Sequence, residues 1–554
     1  MSEVVKTGVI LGAAAVLTVV AMSLGPTAVE QDLYSDEGQE FFPGFVDPAV
    51  AVDLEVTEFN ADKATARKFA VHRDKDGRWT IPSHGGYPAD AKDRMGKAAS
   101  MLIGLQKSRA VSDRKEDHVA FGVVDPLDEG SETEGRGTRV TMKDSAGNVL
   151  ADLIVGKELE GKMDVYYVRL PDKRRTYSTK LEGELSTKFS DWIETDLLKA
   201  QAFDIAKVKF DNYSIDEQAG RIVPGEKITV EKDKESKWTL ADLDAEKEQP
   251  NADRLREIGD TLTQIKIVGV RTKPEGLTGK LEKASGFEAA ILRQMLQDKG
   301  YFLSGGKLYS NEGDLIFETK KGIRYTLRFG ELVPGDDDAV SSGAIGAAAP
   351  EPGPDGPQPV AKNNRYLMVT AEFDESLLDK PAGERMPADQ LDKRKAARAE
   401  IEKIVAAIDR YRSAHDGALP ESLQKLTEKP EGGGDAPLAE LPKDPWEGDY
   451  SLEINGDDFV VSSYGADKAA GGEGVNHDVR NDAFVYEDDL GRADDQWKAY
   501  DTKLEDGRAE ADKLTQRFGP WYYVIDKTLF DKLKPKRADL VEPKAADAPG
   551  ENNK

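Results

Sequence analysis

Cysteine is absent from the 554-residue sequence, which removes disulfides, thiolate metal sites and cysteine nucleophiles. Histidine is scarce, with five residues (His72, His84, His118, His415 and His477). They are scattered without the HExxH or any other paired spacing that a zinc hydrolase needs. No Gly-x-Ser-x-Gly elbow is present, and the nearest approach to a phosphate loop, Gly300 to Leu308, puts glycine where the lysine belongs. Adjacent acids such as Asp488 and Asp489 carry little information about glycosidase chemistry in a chain this acidic. The expectation is a protein that is not an enzyme.

Positive charge is also in deficit. Asp and Glu number 104 against 77 Lys and Arg, a formal net charge of -27. Such a field repels phosphate backbones, so nucleic acid is not expected as a partner; solubility, cations and basic protein surfaces fit it better. The chain is too long for one hydrophobic core to keep growing, and several domains are expected.

Long apolar runs are missing everywhere but at the amino end. No charge occurs from Thr7 to Val29, and the run approaches the ~20 apolar residues that span a bilayer. A cleaved signal peptide ending near Pro26 competes with an anchor, but the run is long for a signal h-region. Lys6 precedes it and no Lys or Arg follows until Lys63. That bias predicts a single-pass cell-membrane protein with its amino terminus cytoplasmic and its bulk extracytoplasmic, periplasmic in a cell with two membranes.

Two amphipathic segments then stand out. Met95, Ala98, Met101, Leu102 and Leu105 share one helical face, as do Leu255, Ile258, Leu262 and Ile265, and each follows a Trp-Thr strand start, Trp79-Thr80 and Trp238-Thr239. Each helix is followed by an alternating segment ending in glycine, Ala151 to Gly161 and Tyr325 to Gly335, and then by an aromatic strand, Tyr166 to Leu170 and Tyr366 to Val369. An Asp, Ala, Gly and Pro tract at 336–362 has the composition of a disordered loop. Together with Asp113 to Pro126 and Phe518 to Val541, this pattern resembles the family called domain of unknown function 4340. The resemblance implies a binding or scaffolding role auxiliary to an ABC-type export or gliding system, with a protein partner. It supplies no catalytic residues.

A foreign segment, 393–485, interrupts the second copy. It opens with an amphipathic helix carrying Ile401, Ile404, Val405, Ile408 and Tyr411, and continues through Leu441 to Tyr450, two alternating strands, and the loop Gly465 to Val479. This order is similar to the soluble domain of the type II secretion major pseudopilin, protein G. The resemblance implies a Ca²⁺ site in that loop, with Asp467, Asn476 and Asp478 as ligands and the glycines from Gly471 letting carbonyls turn inward. The prepilin cleavage motif is missing and the module lies far from the amino-terminal run, so a recognition or spacer element fits better than a pseudopilus subunit; a type II secretion component, an envelope spacer and, last, a carboxylate-dependent hydrolase remain alternatives.

The expected fold class is α+β: a single N-terminal transmembrane helix, then two related α+β repeat units, with a pseudopilin-like α+β insertion in the second. Its parts are an anchor at 1–29, a first unit at 45–200, a second at 201–390 and 486–545, the inserted domain at 393–485 and a disordered tail at 546–554.

Overall fold

A computed structural model describes residues 36–544 except 62–63, 131–132, 184, 195, 234, 275–286, 334–339, 342–363 and 431–432, together with 7–8, 12–14 and 18. Two large antiparallel sheets form the body. The first runs, in spatial order, Tyr87–Pro88, Trp79–Ile81, Thr65–Arg73, Asp53–Asn60, Thr138–Lys143, Val149–Glu158, Val165–Arg169, Thr176–Lys180 and Arg109–Ser112. The second runs Trp238–Leu240, Lys227–Lys232, Ile205–Asp211, Asp314–Thr319, Ile323–Val333, Asn364–Phe373, Trp521–Ile525 and Ile267–Thr272. Apart from the Tyr87–Pro88 edge of the first, the two sheets thread in the same order.

Strand alternation decides which face is buried. Leu54, Val56, Val140, Met142 and Leu153 point into the first sheet's core, and Phe317, Leu327, Val369 and Tyr523 into the second's. Helix Lys92–Leu102 buries Met95, Ala98, Ala99 and Leu102 against the first. Helix Ala252–Thr263 buries Leu255, Ile258 and Leu262 against the second, and its start is capped by Asn251, whose side chain accepts from the Arg254 amide at 3.0 Å.

The expected fold is corrected by these findings. The structure is a mixed α and β fold made mostly of sheet, and no helix among the described residues is long and apolar enough to cross a membrane. The two longest helices, Ala388–Ala414 and Phe484–Phe518, carry acidic and basic residues along their whole length, which no bilayer core accommodates. Most of the 7–29 run lies outside the described residues, as do 546–554 and all of 336–362 except Val340 and Ser341. Nor do the two sheets keep separate cores. One hydrophobic cluster extends from Phe41 to Leu540 through both.

The joint between them is aromatic. Tyr87 meets Trp521 edge to face with ring centroids 5.0 Å apart. Gly85, at φ 67, lets the turn after Ile81 approach the second sheet so closely that a Cβ there would lie 2.8 Å from Thr272 Cγ2. The Tyr325 hydroxyl donates to the Leu198 carbonyl at 3.0 Å and Arg517 Nη2 to the Asp196 carbonyl at 2.7 Å, adding polar ties. His84 sits in this joint, 6% exposed and stacked on Phe189 at 4.4 Å, with its Nε2 unpartnered.

Burial, reinforced by Arg271 and Arg67, pushes the His84 pKa down to about 4 from 6.5. The unfolded chain therefore binds more protons between those values, so stability is full above pH 6.5 and falls as pH drops towards 4. We expect His84 to contribute on the order of 3 kcal/mol to that loss. Urea unfolding across this window should show a shallower pH dependence in His84→Phe than in the wild type; equal slopes would rule out the histidine as the source.

Candidate functional site

The inserted segment has its own core, in which Ala397, Ile401, Ile404 and Ile408 of helix Ala388–Ala414 pack on Leu426, Trp446, Val461 and Val479. A three-stranded sheet, Ser451–Asn455, Asp458–Ser463 and Val479–Arg480, completes it. The Asp444-Pro-Trp turn is held from within. The Asp444 carboxylate accepts from the amides of Trp446 and Gly448, at 3.0 and 2.6 Å, and from Ser463 Oγ at 2.6 Å.

Between the last two strands the chain makes the excursion 464–478. Both ends are sewn into the sheet, since Ser462 pairs with Arg480 and Ser463 with Val479. Gly465, Gly471, Gly472 and Gly474 all take positive φ, a conformation that glycine adopts without steric cost. A Cβ on Gly472 would lie 2.4 Å from the Asn476 carbonyl oxygen. Glycine is required there.

The three residues expected as metal ligands fall in this loop but not in equivalent settings. Asp478 is buried; its Oδ2 accepts the Gly471 amide at 2.9 Å, and its Oδ1 has no partner. Asp467 is exposed and accepts the Ala469 amide at 3.1 Å. Asn476 is half-buried in the second 3₁₀ turn, Gly474–Asn476. Among the described residues no three His, Cys, Asp or Glu side chains converge as a metal cluster, so carbonyl and amide oxygens must complete any cation's shell. The unpartnered buried oxygen of Asp478 and the all-oxygen donor set fit a hard cation such as Ca²⁺.

Behind the loop lies an ion pair that sequence reading missed. Arg394 is 0% exposed and forks onto Glu487 through Nε, at 3.1 Å from Oε2, and through Nη2. Its Nη1 donates to the His477 carbonyl at 2.5 Å. The His477 ring stacks on Tyr486 with centroids 4.0 Å apart. One guanidinium thus ties the first helix of the module, its loop, and the start of the long helix Phe484–Phe518. The partners are 93 positions apart, and no local pattern announces such a pairing.

That long helix leaves the module and enters the body. Its middle buries Trp497 and Tyr500 against Leu378, and its last turns place Ala511, Leu514 and Phe518 in the shared core. Gly507 lets Phe373 lie against the helix, where a Cβ would be 2.4 Å from the ring. Entry and exit of the module run side by side, with Arg385 and Asp501 paired at 2.7 Å.

Comparison with known families matches two stretches. Residues 79–283 match the family described as a domain of unknown function (DUF4340), and residues 386–482 match the type II secretion system (T2SS), protein G family. The first match is single and passes from the first sheet into the second, so a duplicated DUF4340 domain is not shown. No curated protein matches the chain.

Removing Glu487 leaves a buried guanidinium without a counter-charge. Glu487→Ala should destabilise the module by about 3–5 kcal/mol, whereas Arg394→Met combined with Glu487→Leu should recover most of that loss. Urea unfolding of the full chain followed by circular dichroism checks both; a single variant as stable as the wild type would count against the pair as a fastener.

Proposed function

We propose that the protein is a non-enzymatic binding or scaffold component that presents a protein G-like module on a rigid arm to a protein partner. One observation carries this reading: a single 35-residue helix begins against the module at Phe484 and ends in the core of the body at Phe518. At 1.5 Å per residue it is a strut of about 50 Å. The net charge of -27 supports a protein rather than a nucleic acid as partner. The match at 386–482 favours a second reading, a pseudopilin-like component of a secretion assembly. The common strand order of the two sheets supports regarding the body as two copies of one unit.

The natural absence of cysteine makes the strut testable. In a Glu453→Cys, Lys237→Cys chain carrying spin labels, module and body should give one narrow interlabel distance distribution. Adding Lys503→Pro at an exposed mid-helix position should broaden it, because an interior proline costs about 3 kcal/mol and kinks the helix. A broad distribution before that change would contradict the rigid arm.

We propose further that the 464–478 loop takes Ca²⁺, held by Asp478, Asp467, Asn476 and loop carbonyls. The cation would neutralise the buried Asp478 carboxylate and hold the glycine-rich turn in one conformation. A roughly 100-fold excess of Ca²⁺ over Kd should stabilise the module by about 2.7 kcal/mol. The gain should vanish with chelator and in Asp467→Ala, Asp478→Ala. Identical melting with millimolar Ca²⁺ and with chelator would eliminate the site.

A further inference from the structure

Several buried or half-buried arginines in this molecule have a carboxylate beside them. Arg394 has Glu487, and Arg139 has Asp125 and Asp152, at 3.0 and 2.6 Å. Arg169 is different. At 6% exposure it makes no ion pair among the described residues. Its Nε donates to the Val123 carbonyl at 2.9 Å, and its Nη1 reaches the carbonyls of Leu170, Pro171 and Lys173 at 3.1, 2.9 and 2.8 Å. These bonds lock the guanidinium plane and leave Nη2 as the unused donor among the described residues. Burial holds the group's pKa below the ordinary arginine value; attraction from Asp125, and less from Asp128 and Asp172, works against that, while Arg139 adds repulsion.

Arg169 lines a cleft of about 820 Å³ that also takes in His118, Arg139, Lys173 and Arg174. His118 is occupied with the Arg174 carbonyl at 2.7 Å, and the Asp125 carboxylate with Arg139. The cleft therefore holds an oriented guanidinium that no carboxylate among the described residues contacts, the acids around it acting only across space.

We propose that this cleft binds a carboxylate of an extended peptide segment, taken at Arg169 Nη2. Glu116, Asp125, Asp128 and Asp172 line the same cleft and disfavour a dianion such as phosphate more than a single carboxylate. Val119 and Leu127, 39% and 51% exposed, offer apolar contacts for the residues beside the charge. This deepens the reading of the protein as a binding component by naming what it recognises. It stands apart from the strut, since the cleft lies wholly in the first sheet's half.

The test is calorimetric titration of the full chain with three short probes: acetyl-Ala-Leu with a free carboxylate, the same peptide as its amide, and acetyl-Glu-Ala-Leu amide. Saturable binding of the free acid, about tenfold or more tighter than its amide, supports a terminal carboxylate. Binding of the glutamyl amide instead supports a side-chain carboxylate. In Arg169→Lys the preferred probe should weaken about tenfold. If circular dichroism shows that variant unfolded, Lys173→Glu, which changes an exposed side chain and keeps the backbone carbonyl of the cradle, serves in its place and should weaken binding in the same direction. Absence of binding by both carboxylate probes, equal binding of all three, or an unchanged affinity in the folded variant overturns the proposal. The interlabel distances are untouched by any of these results, so failure here and failure of the rigid arm are separable.

Discussion

The strand Trp521–Ile525 closes the molecule. Every one of its residues is buried, and it pairs on one side with Asn364–Phe373 and on the other with Ile267–Thr272. Without it the Ile267–Thr272 strand has no neighbour in its sheet, and its backbone groups would face the core unpaired, which costs more than a modest loss of packing. The same strand supplies Trp521 and Tyr523 to Tyr87 of the first sheet. One short segment therefore completes a sheet and cements two.

Because that strand follows the inserted module in the chain, the module is built into the closure. The chain leaves the second sheet at Phe373, forms the module, and returns along the Phe484–Phe518 helix before the sheet is finished. A flexible tether would suffice to connect the ends. The helix is instead fastened at its start by the fully desolvated Arg394–Glu487 fork and at its end by Leu514 and Phe518 in the common core. Buried ion pairs of this kind add little net stability against apolar substitutes but specify one partner and one register. Fixing an arm calls for that property.

Electrostatics follow the same division between surface and interior. The excess of acid is spread over exposed positions, where single pairs contribute little and the charge serves solubility. Inside, the Arg394 and Arg139 guanidinium groups are met by carboxylates, and Arg169 by carbonyls. A neutral cradle orients a guanidinium without cancelling its charge, and it is this residue that makes the first sheet's cleft chemically distinct.

Much that is local was legible in the sequence. The helical faces at Met95 to Leu102 and Leu255 to Leu262, the strands starting at Trp79 and Trp238, and the module's order of helix, Asp444-Pro-Trp turn and glycine-rich loop are set by period and turn chemistry within a few residues, which a linear reading contains. The loop's candidate ligands came from the resemblance to the protein G family, which placed them in one loop without indicating that Asp478 is buried and Asp467 exposed. Composition likewise excluded thiol chemistry, since the chain has no cysteine. Tertiary structure alone decided that two sheets share one core, that Trp521–Ile525 rather than any nearer segment fills the gap beside Ile267–Thr272, and that Arg394 meets Glu487. Each of these joins residues tens to hundreds of positions apart. Such contacts are chosen by which buried groups can be satisfied together in space, a condition that no window along the chain expresses.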